Sequence, residues 1–288
     1  MTKQKGFTLL ELLVVIVLLA VLSVGALVAY EGIGENASNV AAANNIKTAD
    51  SSIRAFRAIE NVYPNQWDNL ANLGGELTGG AFSALADATK GFLTQVEFDE
   101  TVAAAQAAMV SLGSVGITEL QTLTTAAEIN LALNSPNEAF NESAPGVSVP
   151  ADEVEWELND DGTFDTVNEA NFFMSAVPSS TGVACTFAGS DLTTNLAGDT
   201  VVDSKILNRI NDALDDDGCH LVVALGFGKD VPGTTLGSRV AISTAPTYTN
   251  GNVINPSIHY ARYIALFYLG SADEDGATPT EVTAADIL

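Results

Sequence analysis

A nearly unbroken apolar segment near the N-terminus constrains this 288-residue chain more than any other feature. The segment runs from Phe7 to Tyr30, and Glu11 is its only charged residue. As an α-helix its 24 residues span about 36 Å, which is enough to cross the hydrocarbon core of a bilayer. The sequence therefore predicts a transmembrane helix followed by a large domain outside the membrane.

Charges around the segment indicate its orientation and distinguish it from a secretory signal. Lys3 and Lys5 precede it, whereas Glu31 and Glu35 follow it, so the short N-terminus is expected to stay in the cytoplasm. An ordinary secretory signal has an apolar core of roughly 7–15 residues without an acid inside it. An acid such as Glu11 costs roughly 2.5–3.5 kcal/mol on insertion scales, so its presence indicates a specific role.

The sequence around this acid, Gly6-Phe7-Thr8-Leu9-Leu10-Glu11, resembles the class III leader of type IV pilins and type II secretion pseudopilins. The resemblance covers about 30 of the 288 residues. It implies that a membrane-embedded aspartyl peptidase, the prepilin peptidase, cleaves between Gly6 and Phe7 and then methylates the new amino group of Phe7. The conserved acid of that family lies five residues into the mature chain, which is the position of Glu11.

The resemblance also implies a structural subunit that assembles into a filament by packing of N-terminal helices. Glu11 would pair with the Phe7 ammonium of a neighbouring subunit, and a buried ion pair of this kind can specify register. The implied partners are copies of the chain, related pilins or pseudopilins, the prepilin peptidase and an inner-membrane assembly platform. Before assembly the subunit would cross the inner membrane once, with its head in the periplasm. Afterwards it would lie in a periplasmic or cell-surface filament.

The pattern leaves the type of filament open. The run from Leu9 to Val17 looks more like the pseudopilin variant. A helical block expected at residues 81–134 is similar to the insertion of the large tip pseudopilin, but that subunit typically lacks the acid that Glu11 supplies. Three other interpretations remain: a plain membrane anchor, a conventional signal cleaved near Ser23-Val24-Gly25, and a membrane-tethered binding module that never polymerises.

Composition argues against an enzyme and against nucleic-acid binding. Neither His220 nor His259 belongs to a metal-ligand motif. Residues 226–229 resemble the end of a phosphate-binding loop, but the first glycine is misplaced and Asp230 stands where Ser or Thr is needed. The chain has 36 acidic and 11 basic residues, a formal charge of −25, which becomes −27 when Lys3 and Lys5 leave with the leader. So acidic a surface repels phosphate backbones.

Two cysteines, Cys185 and Cys219, lie well beyond the membrane segment. In a compartment outside the cytoplasm an even number of cysteines predicts a disulfide. In the chain-entropy model the closed loop would contribute roughly 3–4 kcal/mol. A disulfide in the C-terminal half is also typical of many pilins, and two free buried thiols are the alternative.

An acidic loop between two predicted strands is the best candidate for a cation site, and calcium is the only cofactor considered. Four potential ligands alternate around Gly162 in the manner of a calcium loop: Glu157, Asn159, Asp161 and Asp165. Asn168 stands where such a loop has its final acid. The alternative is a hairpin turn in which Asp-Gly supplies positive φ angles. Residues 215–218 and 273–276 are weaker candidates.

The apolar helix is predicted to continue beyond the membrane as a stem. Ile46, Ile53, Phe56 and Ile59 recur at intervals that place them on one helix face, and Pro64 ends the pattern. A separate helix is predicted to begin at Asp99-Glu100 and to run through Met109.

The remaining pattern predicts an α+β fold, in which the long N-terminal helix packs on an antiparallel β-sheet head and a helical insertion lies between them. Period-two alternation predicts strands at residues 154–158, 164, 172–177, 183–187, 221–227, 240–243 and 260–269, and helical spacing appears at 203–214. The predicted segments are a leader (1–6), a transmembrane helix (7–30), a stem helix (31–63), a connector with the insertion (64–150), the sheet head (151–270) and an exposed acidic tail (271–288).

Overall fold

The computed structural model describes residues 8–123, 153–159, 163–165, 171–179, 185–200, 219–228, 240, 246, 254–255, 258–271 and 281–287. Its first element, α1 (Leu9–Glu60), is one continuous helix of 52 residues that joins the apolar segment to the stem. Asn61 ends the helix in the left-handed conformation, with φ 61°, and its N–H donates to the carbonyl of Arg57 at 2.9 Å. The helix therefore ends before Pro64, as the sequence predicts.

Only a short part of α1 packs on the described residues of the head. Ala49 and Ile53 are buried, whereas Ile46, Phe56 and Ile59 are 61%, 40% and 78% exposed. The four apolar residues of the predicted face therefore do not share one environment. Each step of three residues falls about 60° short of a full turn, so Phe56 and Ile59 rotate away from the side of Ile53. Ile46 lines an open groove between α1 and the sheet.

The described strands, numbered along the chain, are β1 (Trp67–Asn69), β2 (Thr94–Asp99), β3 (Glu119–Leu123), β4 (Glu153–Leu158), β5 (Phe164–Asp165), β6 (Asn171–Ala176), β7 (Thr186–Phe187), β8 (Ser190–Asp191), β9 (His220–Phe227), β10 (Tyr263–Ser271) and β11 (Glu281–Ile287). Seven of them follow the order β11-β10-β9-β1-β3-β4-β5, while β6 pairs with β9 and β2 pairs with β6. The strands β7 and β8 form a separate hairpin.

The α+β class with a long N-terminal helix is confirmed, and the sheet is mixed. The strand pairs are antiparallel except for β1 and β3, which run parallel, with Trp67 opposite Leu120. Trp67 lies at the centre of the core, with its ring in edge contact with Phe227 and Phe267 at centroid distances of 5.0 and 5.1 Å. The core therefore forms where β1, β9 and β10 meet.

The segment predicted as a connector with a helical insertion also supplies strands. It contains α2 (Gly80–Ala84), α3 (Asp87–Lys90) and α4 (Ala103–Ser114), but also β1, β2 and β3. The prediction for residues 64–150 is therefore incomplete, because β1 lies between β9 and β3 inside the sheet. A strand of three residues is too short to show an alternating pattern.

The start of the insertion helix is also corrected. Asp99 ends β2 and its carboxylate accepts hydrogen bonds from the N–H and hydroxyl of Thr101, both at 2.7 Å, so α4 begins only at Ala103. In β2 the alternation of Thr94, Val96 and Phe98, all buried, has the period of a strand and extends to Asp99.

The prediction of an exposed tail is wrong for residues 281–287, which form β11 and pair with β10. Without β11 the edge of β10 would present unpaired backbone groups, and this pairing satisfies them. The predicted strands at 172–177, 221–227 and 260–269 correspond to β6, β9 and β10. The predicted helix at 203–214 lies outside the described residues, as does the strand at 240–243 except for Val240.

Candidate functional site

The N-terminal end of α1 is held by a reciprocal pair of hydrogen bonds between Thr8 and Glu11. The N–H of Glu11 donates to the Thr8 hydroxyl at 3.3 Å, while the Thr8 N–H donates to Oε2 of Glu11 at 2.9 Å. The Thr8 hydroxyl also donates to the same oxygen at 3.0 Å. This capping box satisfies two N–H groups that a helix start leaves without partners.

The capping box determines where the carboxylate of Glu11 lies. It folds back toward the start of α1, where the positive end of the helix dipole favours a negative charge. Both hydrogen bonds use Oε2, and no group of the described residues donates to Oε1. Gly6 and Phe7, the predicted cleavage and methylation residues, lie outside the described residues.

The surface of α1 that follows is uncovered. From Leu9 to Val28 the helix is long and apolar enough to cross a membrane by length and composition, and none of this stretch is buried against the described head. Ser23 carries the first hydroxyl after Thr8, and it donates to the carbonyl of Leu19 at 2.6 Å, so its polar group is satisfied within the helix. The apolar helix therefore stands free of the head.

Comparison with known proteins identifies this N-terminal region. The family model described as the prokaryotic N-terminal methylation motif matches residues 1–27. The chain carries a type IV pilin-like prepilin leader. The match covers the predicted cleavage residues, Glu11 and most of the exposed apolar stretch of α1. No curated protein and no solved structure matches the chain.

Beyond the prepilin leader, the two cysteines are joined. Cys185 and Cys219 form a disulfide with a Cα–Cα distance of 5.5 Å, and both residues are buried. The bond ties the residue before β7 to the residue before β9. The N–H of Leu192 donates to the carbonyl of Cys185 at 2.9 Å, which links the same point to the β7–β8 hairpin. The predicted bridge is confirmed.

The predicted calcium residues lie at a hairpin. Glu157 and Asp165 are cross-strand neighbours in β4 and β5, and the N–H of Asn159 donates to the carbonyl of Thr163 at 2.8 Å. Asp161 lies outside the described residues, as do the loops at 215–218 and 273–276. Nowhere in the described ranges do three His, Cys, Asp or Glu side chains form a group that could hold a metal ion. Calcium binding at the hairpin stays a prediction.

The two histidines lie at separate places in the head. His220 is buried in β9, and its N–H donates to the hydroxyl of Ser179 at 2.9 Å. Nδ1 of His259 accepts from the N–H of Asn255 at 3.1 Å, and burial lowers the pKa of His259. The two histidines therefore lie in different elements of the described head, and each has a hydrogen-bond partner at its backbone or ring.

A buried charged cluster was not predicted from the sequence. Oδ2 of Asp68 accepts from the Tyr260 hydroxyl at 2.6 Å and from Nη1 of Arg262 at 3.0 Å, with both charged side chains fully buried. Burial raises the pKa of Asp68 to about 6, against the opposing effects of Arg262 and Tyr260. Burial also raises the pKa of Tyr260. The cluster joins β1 to the segment that leads into β10.

A second polar cluster, also unpredicted, joins the stem to the last strand. Arg57 donates to the hydroxyl of Tyr63 and to Oδ1 of Asp286, and the same hydroxyl donates to Oδ1 at 2.6 Å. The N–H of Ile287 donates to the Tyr63 hydroxyl at 3.1 Å. Burial alone would raise the pKa of Asp286, but the hydrogen bonds from Tyr63 and Arg57 hold this pKa below its usual range. These residues fix the end of α1 against β11.

Proposed function

We propose that the chain is a structural subunit of a filament, either of the type IV pilus kind or of the pseudopilus kind in type II secretion. The observation that carries the proposal is the prepilin leader, which continues into a helix whose apolar surface the described part of the chain leaves uncovered. Such a surface needs another apolar environment. The bilayer supplies one before assembly, and the helices of neighbouring subunits supply one afterwards.

Processing of the precursor is the first step of the proposed function. The prepilin peptidase cleaves between Gly6 and Phe7 and methylates the amino group of Phe7. The match of residues 1–27 to the methylation motif supports this step. The chain then waits in the inner membrane with its head in the periplasm until the assembly platform adds it to a filament of copies and related subunits.

Glu11 has a proposed role in assembly. The capping box holds its carboxylate at the start of the helix with Oε2 bonded to Thr8. The other oxygen, Oε1, is then available for the Phe7 ammonium of an adjacent subunit. Such a pair fixes the axial offset between two helices, because an ammonium removed from water without a partner is strongly disfavoured. The capping box and the pairing use different oxygens, so one does not replace the other.

Two measurements test the proposal. Mass spectrometry of the N-terminus is expected to show a chain that begins at Phe7 and carries one methyl group. Sheared surface and periplasmic fractions are expected to contain filaments of this subunit. A start near Ala26 contradicts the processing step, and a processed chain that is never found in filaments indicates a membrane-tethered binding module instead.

Calcium binding by the β4–β5 hairpin is a separate and weaker proposal. It rests on the spacing of Glu157, Asn159, Asp161 and Asp165. Calorimetry of the head is expected to show binding at millimolar concentrations or better, and Asp161→Ala is expected to weaken it. A titration without heat and without a shift in thermal unfolding leaves an ordinary hairpin turn.

A further inference from the structure

The basic residues of the mature chain are unevenly distributed. Residues 36–60, the part of α1 nearest the head, carry three basic and two acidic side chains, whereas residues 61–288 carry six basic and 31 acidic ones. Residues 36–60 of the stem therefore carry a net charge of +1, although the whole stem (31–63) carries −1 because Glu31 and Glu35 lie at its start. The head is strongly negative. Opposite charges on two parts of one chain favour contact between different copies when each copy cannot satisfy them alone.

Three exposed residues define the outer stem face: Val40, Lys47 and Arg54. They are seven residues apart, so they lie on one side of α1, with the two cations about 10 Å apart along its axis. Ala49 and Ile53, the buried residues of the stem, lie on another side and face the head of the same chain. The outer stem face therefore points away from the head to which it is joined.

The stem cations differ in how their own chain engages them. Arg57 is bound to Tyr63 and Asp286 of the head. Among the described residues Arg54 bonds only to Asp50, four residues earlier on the same helix, at 2.7 Å, and both side chains are about half exposed. An exposed pair of this kind contributes little and exchanges readily. Lys47 has no ion pair among the described residues. Lys47 and Arg54 thus remain available to another molecule.

Membrane lipid is a poor partner for these cations. Lys47 lies 19 residues beyond Val28, the end of the apolar stretch, which corresponds to about 28 Å along a continuous helix. The headgroup region on one side of a bilayer is only roughly 5–8 Å thick. Both cations of the outer stem face are therefore held well above the lipid surface, at the level of neighbouring heads.

The head supplies the complementary charge. Among its described residues, Glu76, Asp87, Asp191 and Asp199 are exposed acids. The described cations of the head are already engaged: Arg262 is buried beside Asp68, and the Lys90 ammonium lies 3.6 Å from Asp87 and above the Phe82 ring. A second head that approached the outer stem face would therefore bring an excess of carboxylates to Lys47 and Arg54.

We propose that the outer stem face binds the acidic head surface of a second copy of this chain. The inference rests on the proposed function in one respect: assembly of copies supplies the crowding that brings a head to a stem. It adds a contact outside the membrane, separate from the pairing of Glu11 with Phe7. This contact sets the distance between heads, whereas Glu11 sets the register between apolar helices.

A cross-linking experiment tests the contact directly. The full chain, with a photoreactive side chain in place of Lys47, is produced as a mixture of light and heavy isotopic copies with its peptidase and assembly machinery. Membrane and filament fractions are then irradiated. The expected product is a mixed light–heavy cross-link between position 47 and an acidic head peptide. Cross-links only within one copy, only to a different protein, or none in either fraction overturn the inference.

Charge variants provide the second measurement. The double variant Lys47→Gln/Arg54→Gln is expected to reduce the fraction of processed subunit that enters filaments. The double variant Lys47→Glu/Arg54→Glu is expected to reduce that fraction at least about tenfold, because like charges then face each other. Lys90→Gln removes one cation of the head and is the matched control, expected to leave the yield unchanged. An equal loss from Lys90→Gln and from Lys47→Gln alone, each of which removes one cation, shows a bulk charge effect and contradicts the proposed contact.

The filament function and the contact between the outer stem face and a second head can be contradicted separately. If the unsubstituted chain forms no filaments but gives the mixed cross-link in membranes, the filament function is contradicted and the contact stands. If filaments form and their yield is the same in all charge variants, the contact is overturned and the filament function stands. The amount of processed subunit in the membrane, measured for every variant, separates assembly defects from folding defects.

Discussion

At the scale of single residues, the buried carboxyl group of Asp68 leads to a prediction about how stability depends on pH. Its pKa of about 6 in the folded protein lies above the value for an unfolded chain, because burial outweighs Arg262. The folded state therefore binds a proton more tightly, so the free energy of unfolding increases as the pH falls from about 6 to 4. Relative to Asp68→Asn, the unsubstituted chain is expected to gain up to about 3 kcal/mol over this interval.

The measurement is urea unfolding of both proteins in detergent, followed by tryptophan fluorescence, at several pH values between 4 and 7. Asp99, Asp191 and Asp286 have lowered pKa values and destabilise the fold on acidification, but they are the same in both proteins. Their effect cancels in the difference. A difference that shrinks toward pH 4 would mean that Arg262 controls the ionisation of Asp68.

Glu11 makes a prediction about assembly. Glu11→Ala is expected to leave membrane insertion intact, because removal of an acid makes the apolar segment easier to insert. Filament yield relative to processed subunit is expected to fall strongly, since the neighbouring ammonium then lacks a partner at a cost of roughly 3–5 kcal/mol. Glu11→Gln keeps the shape of the side chain and is expected to behave like Glu11→Ala.

The capping box requires a control for this experiment. Thr8→Ala removes the hydroxyl that bonds to Glu11 but retains the carboxylate. It is expected to lower helix stability by about 1 kcal/mol and to permit assembly. Normal filament yield from Glu11→Ala would contradict the pairing role, while equal losses from Thr8→Ala and Glu11→Ala would assign Glu11 to capping alone.

At the scale of elements, the disulfide ties two parts of the head that are 34 residues apart. Replacement of both Cys185 and Cys219 by Ser is expected to lower the free energy of unfolding by roughly 3–4 kcal/mol, since the unfolded chain regains the entropy of an open loop. Thermal unfolding with and without reductant checks the value. Reductant is expected to have no effect on the double Ser variant, and a shift in that variant would contradict the assignment.

Elements with strong sequence signals were predictable. The apolar run, the leader and Pro64 predicted α1, and apolar segments of strand length predicted β9 and β10. The hairpin of β4 and β5 followed from the same alternation around an Asp-Gly turn. The cysteine pair was predictable from compartment and number alone, because no other partner was present for either residue.

Other features depend on contacts that no local pattern records. β1 has three residues and owes its place in the sheet to partners that lie about 50 and 160 residues later in the sequence. Asp68 and Arg262 are 194 residues apart in the sequence, and each alone has the composition of a surface residue. Only the fold brings their side chains together in the core. β11 looked like a tail because its composition is small and acidic, and its pairing follows from the open edge of β10.

At the scale of the whole molecule, the head is expected to fold without the membrane segment. A fragment that begins at residue 36 retains Ala49, Ile53 and Arg57 and is expected to be soluble, monomeric and disulfide-bonded. A control fragment that begins at residue 62 lacks these contacts and is expected to unfold at a lower urea concentration. Size-exclusion chromatography and urea titration compare the two. Equal stability would show that the stem contributes nothing to the head.

The cluster of Arg57, Tyr63 and Asp286 has a consequence for the order of folding. Arg57 and Asp286 are 229 residues apart in the sequence. Closing so long a loop is entropically costly, and contacts of such separation form slowly. Because synthesis proceeds from the N-terminus, a growing chain can be inserted in the membrane well before residue 286 is made. We expect the angle between stem and head to be the last feature fixed, so that newly anchored chains pass through a stage with a freely pivoting head.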